Sequence, residues 1–323
     1  MEHIRFDSAN HDYEVEHLEL LISEPFTSVN RRSVLSADRY TTTYKGENMR
    51  HGLVTLRVWR DESPDAELRA LFLKRFQREL LVWKRLDHPN IAPLHGLAFA
   101  YGQWASSVAP YYQHGTINKY LKSHPQVNPL VLLHGVAKGL AYLHSLSPPL
   151  CHGDVRCRHI FVNDEGIPVL TNVGINQLPI PPHWTFPLED GIRWTAPEII
   201  LADPKVTSGR KEDIRMETTP QSDVYSFGMT MFEVFTGGSP YRHRKHYPGV
   251  IQDVITGARP PRPSSDECPK LTDDIWNLIE WCWNQDPTER PSATQVEKTL
   301  AQILSARETR RLPPAPLIRR PCL

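Results

Sequence analysis

The balance of strands and helices changes once along this chain, near Tyr112, and this change limits the folds it can adopt. Short β-type runs begin at residue 31 and continue to Tyr112, interrupted by one helix that starts at Ser63-Pro64-Asp65 and runs to about Arg85. Helical patterns follow over 116–122, 129–146, 221–236 and 271–283. Strands followed by helices favour an α+β protein with two unequal lobes over an alternating, parallel βαβ sheet.

The composition excludes several classes of protein. Lysine and arginine together number 37, as do aspartate and glutamate, so the net charge is zero and gives no general case for binding nucleic acid. The five cysteines are irregularly spaced, which argues against a disulfide framework and a zinc site. No apolar run approaches the roughly 18 residues of a membrane span, and the N-terminus lacks the apolar core of a signal peptide. We therefore predict a cytoplasmic protein, with the nucleus as the alternative, that has no membrane span.

The composition also divides the chain into three parts. Residues 1–30 carry seven acids and one base, which predicts an acidic extension. Residues 31–305 predict the folded domain, with a smaller lobe over about 31–112 and a larger lobe over about 113–305. Residues 306–323 are rich in proline and arginine, a composition typical of a disordered tail.

Two segments are candidate partner surfaces. Arg310 to Pro316 fits the +xxPxxP pattern of ligands for an SH3-type domain, although proline-rich tails also match this pattern by chance. The polar stretch from Asp203 to Thr219 predicts a loop, which is either a partner surface or a solvated insertion.

One residue of the first predicted helix does not suit the helix face on which it lies. By their spacing, one face of this helix carries Phe72, Phe76, Glu79 and Trp83. A carboxylate on an apolar face is costly unless it is paired. We therefore expect Glu79 to contact a cation.

Six segments, in one order, resemble the signature segments of the protein kinase superfamily. They are HPNI at 88–91, HGDVRCRHIFV at 152–162, TNVG at 171–174, RWTAPE at 193–198, SDVYSFG at 222–228 and CWNQDPTERPS at 282–292. The resemblance covers about residues 35–305. Within the superfamily, these segments are most similar to those of the tyrosine kinase-like group. It implies a bilobal kinase fold, with a small β-rich N-lobe that holds one helix and a larger, mainly helical C-lobe. Small-molecule kinases of the aminoglycoside and choline type share the HGD triplet, but the later segments argue against them.

The resemblance assigns roles to residues of a phosphoryl-transfer site. Asp154 keeps the position of the catalytic base, and Arg156 matches an arginine of some tyrosine kinases. Arg57 stands where the family has its phosphate-binding lysine, and Glu79 is its implied ion-pair partner. We interpret this pair as a clamp between strand and helix, the alternative being a pair that still touches phosphate. Gly153 replaces the arginine that would hold a phosphorylated activation segment.

The metal and phosphate positions depart from the family pattern. His159 replaces the Mg²⁺-binding asparagine, and Asn172 replaces the Mg²⁺-binding aspartate. Because Mg²⁺ prefers oxygen ligands, usually with a carboxylate among them, we predict a lost metal site. Ser36, Asp38 and Thr41 stand where the family has the glycines of its phosphate loop, which predicts a plain β-hairpin.

The resemblance also implies an adenine pocket with altered walls. Thr43, Thr55 and Phe161 replace the apolar residues that enclose the base, which makes the slot more polar and more crowded. Ala109 takes the position that controls a back pocket, and the hinge runs from Pro110 through Tyr111 to Tyr112. Binding of ATP is therefore an open question.

Residues that the resemblance assigns to the scaffold are retained. Glu198 and Arg290 match an ion pair of the large lobe, and Asp223 matches the aspartate that holds the catalytic-loop backbone. What supports the fold is kept, while what handles Mg²⁺ and ATP is changed. We therefore predict a pseudokinase that acts as a scaffold or allosteric partner of signalling proteins. The alternative is a divergent, weakly active kinase for Ser/Thr or Tyr acceptors that uses Asp154 as its base.

Overall fold

The computed structural model describes residues 21–22, 26–37, 41–59, 66–101, 104–175, 191–202 and 218–311. Within these residues the fold has two lobes, as predicted. The N-lobe holds a five-stranded antiparallel sheet in the order β1-β2-β3-β5-β4. Its strands are β1 Phe26–Ala37, β2 Thr41–Asn48, β3 Gly52–Trp59, β4 Gly96–Tyr101 and β5 Trp104–Pro110.

The only helix described in the N-lobe, α1 (Ala66–Lys84), packs on this sheet through the apolar face that its spacing predicts. The Phe72 and Phe76 rings each lie 5.6 Å from the Trp59 ring of β3. Trp83 is buried and donates from Nε1 to the carbonyl oxygen of Ala92 at 2.7 Å. Aromatic burial of this kind fixes the helix against the sheet and positions the neighbouring Glu79.

The C-lobe is mainly helical. Its helices are α2 Ile117–Ser123, α3 Pro129–Ser145, α4 Pro197–Ala202, α5 Pro220–Thr236, α6 Tyr247–Ile255, α7 Asp273–Cys282 and α8 Ala293–Arg311. A short hairpin of β6 (Ile160–Val162) and β7 (Pro168–Leu170) faces the N-lobe. A 3₁₀ turn, Cys157–His159, leads into β6.

Helix α5 lies at the centre of the C-lobe, and the sequence defines both of its ends. Thr219 and Ser222 form a reciprocal capping box around Pro220 at the first turn. Gly237 ends the helix with φ of +66°, a conformation that glycine adopts without strain. Most of its side chains are buried, so it packs on all sides instead of on one face.

Described secondary structure continues past both predicted limits of the folded domain, residues 31 and 305. Ile22 is buried and donates its backbone N–H to the carbonyl oxygen of Leu97 at 2.9 Å, and β1 begins before residue 31. The C-terminal part of the predicted acidic extension therefore joins the N-lobe sheet, because the short apolar stretch in it can be buried against the sheet. Helix α8 continues past residue 305 to Arg311.

Several predictions concern residues outside the described ranges. These are the acidic stretch 1–20, the helix start at 63–65, Asp38, the loop at 203–217 and the tail from 312. The backbone of Arg310 and Arg311, which begins the SH3-type motif, forms the last turn of α8. In the described part of the chain, no helix is both long and apolar enough to cross a bilayer.

One ion pair of the C-lobe joins helix α4 to the residues before α8, and its arginine is fully buried. Arg290 contacts Glu198 through two bonds, Nη1 to Oε1 at 2.6 Å and Nη2 to Oε2 at 2.8 Å. Its side chain is fully buried, and it also donates to the carbonyl oxygens of Gln221 and Asn284. Removal of the guanidinium would leave a carboxylate and two carbonyl groups without this donor.

We predict that Arg290→Ala lowers the free energy of unfolding by about 3–5 kcal/mol, because one partner of a buried pair is lost. Arg262 is a matched control, since it forms an exposed pair with Asp273 at 2.6 Å. Arg262→Ala should cost no more than about 1 kcal/mol. Urea denaturation of both variants measures the difference. Equal losses would contradict the structural role of the buried pair.

Candidate functional site

A cleft of about 280 Å³ lies between the two lobes. Strands β1 to β3 contribute Leu35, Thr43 and Thr55 to it, and Phe161 and Asn172 belong to the C-lobe side. The connection from β5 to α2 closes its inner edge. The cleft is therefore formed by the meeting of the sheet with the β6–β7 hairpin and with α2.

Most of the residues predicted for nucleotide binding line this cleft. They are Arg57, Ala109, Tyr111, Tyr112 and Phe161. The Tyr112 and Phe161 rings lie 6.0 Å apart in a tilted arrangement. Burial raises the pKa of the Tyr112 hydroxyl, so it stays protonated and can donate a hydrogen bond.

Thr55 changes the hydrogen bonding at the hinge. Its hydroxyl donates to the carbonyl oxygens of Ala109 at 3.2 Å and Pro110 at 3.4 Å. A ligand that donates to these carbonyls would share them with the threonine. The hydroxyl that was predicted to make this slot more polar therefore bonds to backbone carbonyls of the protein itself.

The contacts described for Arg57 and for Glu79 involve different residues. Arg57 Nε donates to Thr41 Oγ1 at 3.1 Å, and its guanidinium lies 5.3 Å from the Trp59 ring centre. The carboxylate of Glu79 lies beside Gly174, with Oε2 3.0 Å from the position of a Cβ there. The ion pair between Arg57 and Glu79 stays a prediction.

The catalytic-loop segment is held by the carboxylate of Asp223. Its two oxygens accept the backbone N–H groups of His152 at 2.7 Å and Gly153 at 2.9 Å. His144 Nε2 lies 3.0 Å from the same carboxylate. Gly153 has φ of +81°, a backbone conformation that suits glycine and is strained for most other residues. This arrangement holds the backbone that precedes Asp154.

His152 connects this loop to β7. It is fully buried, and Nε2 lies 2.9 Å from the carbonyl oxygen of Thr171, to which it donates. Its Nδ1 accepts the backbone N–H of Asp154 at 3.2 Å. Burial lowers the pKa of His152, which is consistent with a neutral ring that donates at one nitrogen and accepts at the other.

Asp154 is enclosed by two basic side chains. Arg156 approaches both of its oxygens, with Nε 2.6 Å from Oδ1 and Nη2 2.7 Å from Oδ2. His159 Nε2 lies 3.0 Å from Oδ2. Burial alone would raise the pKa of Asp154, but Arg156 and His159 hold that pKa far below its usual range. The carboxylate is therefore ionised and has contacts at both oxygens.

His159 and Asn172 form a complementary pair. Asn172 Nδ2 donates to His159 Nδ1 at 2.8 Å. Burial lowers the pKa of His159 to about 3 despite the neighbouring Asp154, so the ring is neutral at pH 7. Its proton then sits on Nε2, toward Asp154, and the Nδ1 lone pair requires a donor. The amide of Asn172 supplies that donor, whereas a carboxylate at this position would not.

The backbone of Asn172 suits this residue as well. It has φ of +63°, in the left-handed region that asparagine tolerates better than most side chains. We define Arg156, Asp154, His159 and Asn172 as the floor network. Each member contacts the next, and of the four, His159 and Asn172 line the cleft.

The floor network does not fit Mg²⁺. This ion requires near-octahedral oxygen coordination. Of the two positions where the family has Mg²⁺ ligands, one holds an imidazole and the other holds an amide that donates to that imidazole. The residues present therefore argue against a magnesium site of the family type.

Sequence reasoning missed several residues that line the cleft. Chief among them are Ser107, Lys119, Arg158 and Thr171. Arg158 could have been found by its position directly before His159.

Comparison with known proteins agrees with this geometry. A family described as protein tyrosine and serine/threonine kinase matches residues 31–300. The rat ephrin type-A receptor 8 is 30% identical over 262 residues, which are 76% of this chain and 64% of that protein. A probable serine/threonine-protein kinase, qkgA of Dictyostelium discoideum, is 28% identical over 245 residues, 71% of this chain and 14% of that protein.

The chain belongs to the protein kinase family, since the family match covers well over half of its length. It spans between 7% and 64% of the length of the relatives compared. The relatives include proteins named as serine/threonine kinases and as ephrin receptors.

The low pKa of His159 predicts an acid-sensitive fold. The unfolded chain binds this proton near pH 6.5 and the folded chain only near pH 3, so stability falls as the pH drops below about 6.5. Between pH 7 and pH 5, the wild type should lose about 2 kcal/mol more than His159→Asn. Chemical denaturation at both pH values measures this difference. His246→Asn, at an exposed histidine, is the control and should follow the wild type.

Proposed function

We propose that this domain is a pseudokinase of the tyrosine kinase-like type, which works as a scaffold or allosteric partner in signalling. The observation that carries the proposal is the floor network. At the two family positions for Mg²⁺, His159 and Asn172 bind each other at 2.8 Å. The carboxylate at the position of the base contacts Arg156 and His159.

These contacts weaken the two parts of phosphoryl transfer that the protein must supply. Transfer needs a metal ion to neutralise charge on the phosphates and a carboxylate to orient the acceptor hydroxyl. An aspartate with a strongly lowered pKa is a weak base, because a general base works best with a pKa near the working pH. The contacts of Asp154 also leave less of its carboxylate for an acceptor hydroxyl.

The scaffold role is supported by what is retained. Asp223 still holds the loop backbone, and Arg290 still binds Glu198 at 2.6 Å. A rigid kinase fold without efficient transfer can still present surfaces to other proteins, so we expect protein partners in the cytoplasm. We place the SH3-type motif at Arg310 to Pro316 among the candidate surfaces.

A divergent, weakly active kinase is the second candidate. Asp154 is ionised, and Arg57 and Asn172 line the cleft. In that case Asp154 would act as the base, Arg57 as the phosphate clamp and Asn172 as a weak metal ligand. The two candidates differ in whether transfer depends on Asp154.

A phosphotransfer assay with MgATP and with MnATP tests the proposal. We expect the wild type to label itself and a generic protein acceptor no faster than Asp154→Asn. This variant keeps the size of the side chain and removes its charge, so it separates chemistry from packing. Transfer by the wild type that disappears in Asp154→Asn would contradict the pseudokinase proposal and favour the weakly active kinase.

The double variant His159→Asn with Asn172→Asp tests the metal site separately. It replaces an imidazole and an amide with the residues that the family uses for Mg²⁺. We expect ADP to raise its melting temperature more with Mg²⁺ than with EDTA, and we expect no gain in phosphotransfer, because the glycines of the phosphate loop are absent. A large gain in transfer would favour the weakly active kinase.

A further inference from the structure

The N-lobe sheet has a second apolar cluster on the face that points away from the cleft. Along β3, Thr55 and Arg57 line the cleft, so the residues that alternate with them point to the opposite face. An antiparallel sheet commonly has one face on the core and the other in water. The cluster on this second face, which is separate from the main core, consists of Ile22, Val54, Leu56, Ala98 and Val108.

Two short parts of the chain that precede most of the sheet cover this cluster. They are residues 21–22 and 26–29, which we call the strap. Ile22 is buried within the cluster, and Phe26 and Val29 pack against it as partly buried side chains. The strap therefore keeps an apolar sheet face out of water.

The strap also occupies a free edge of the sheet. Strand β4 is the last strand in the sheet order, and β5 pairs with one of its edges. On the other edge, the backbone N–H of Ile22 donates to the carbonyl oxygen of Leu97 at 2.9 Å. Leu21 packs against the main core and Ile22 against the outer cluster, so the pair lies on both sides of the edge. An open strand edge is a template for the addition of another strand.

The attachment of residues 21–22 is weaker than the pairing within the sheet. In the described part of the chain, one backbone hydrogen bond joins these residues to β4, whereas β3 and β5 pair over five positions. Ser106 lies two residues before Val108 and therefore on the same face. Its hydroxyl is fully buried and has no described hydrogen-bond partner. A buried hydroxyl of this kind disfavours the covered state.

We propose that the free edge of β4 and the apolar cluster beside it form a docking site for an extended apolar segment of a protein partner. Residues 21–22 occupy this site until such a segment displaces them. The partner segment bonds to the backbone of Leu97 and places one side chain on each side of the edge, as Leu21 and Ile22 do. The inference rests on the proposed function, because it gives the scaffold a partner surface and controls access to it.

The strap itself indicates the chemistry of the partner segment. The outer cluster consists of aliphatic side chains, so burial of a further aliphatic side chain is favourable and burial of a charge is not. Addition of a strand to a sheet edge supplies affinity through main-chain hydrogen bonds and specificity through alternate side chains. We therefore expect a partner segment with two consecutive residues of the leucine, isoleucine or valine type.

A peptide with the sequence of residues 14–24 is the probe, and the full chain is the receptor. Ile22→Asp places a charge where the strap needs an apolar side chain, so it vacates the docking site. In the wild type the tethered strap competes at an effective concentration of about millimolar. We therefore expect the peptide to bind Ile22→Asp at least about tenfold more tightly than it binds the wild type. Fluorescence anisotropy of the labelled peptide measures both affinities.

Two controls accompany this titration. Val34 is an exposed apolar residue of β1, so Val34→Asp adds the same charge without vacating the site and should bind the peptide as the wild type does. A peptide that itself carries Ile22→Asp should bind the vacated site at least about tenfold more weakly. A urea unfolding transition checks that Ile22→Asp folds.

Hydrogen exchange tests strap opening without any change in the strap. Ser106→Ala removes the buried hydroxyl and should slow exchange of the Ile22 amide by about tenfold, because the covered state becomes more favourable. Ser107 is the matched control, since it is the next residue and faces the cleft. Ser107→Ala should change this exchange rate by less than about twofold. Equal rates in the two variants would contradict an exchangeable strap, also in the case that Ile22→Asp does not fold.

The inference and the proposed function fail in different ways. Equal binding of the peptide to the wild type and to Ile22→Asp, or binding to neither, overturns the docking site. A wild-type dimer that is lost in Ile22→Asp would assign the site to a second copy of this chain and would overturn the separate partner. The proposed function fails only if transfer that depends on Asp154 is measured.

Discussion

The negative charge of Asp154 is largely buried beside His159, a residue that lines the cleft, and it must be compensated within the protein. Arg156 contacts both oxygens, and His159 lies 3.0 Å away. Because His159 is neutral and directs its proton toward Asp154, its other nitrogen requires a donor, and Asn172 provides one. Two departures from the kinase pattern are therefore parts of one electrostatic arrangement.

The scaffold does not depend on that chemistry. Asp223 holds the loop through backbone N–H groups, and Arg290 holds Glu198 on the far side of the C-lobe. Neither set of contacts includes a member of the floor network. The fold can therefore persist while the residues at the metal positions change.

Sequence reasoning predicted much of the fold and part of the site. The apolar face of α1 followed from local spacing, and helix α5 followed from its helical pattern and from the family resemblance. Helix α8 continues past residue 305, where the composition rich in proline and arginine predicts a tail. Lys119 was missed because a lysine on a short helix does not indicate from sequence which surface it faces.

The sequence by itself determined the family, the order of strands and helices, and the positions at which the kinase residues are replaced. These features depend on local patterns and on short motifs that can be read along the chain. Only the tertiary structure decided that His159 binds Asn172 and that cations from β3, α2 and the 3₁₀ turn line one cleft. Such contacts join residues that are distant in sequence, so they exist only once the two lobes are packed together.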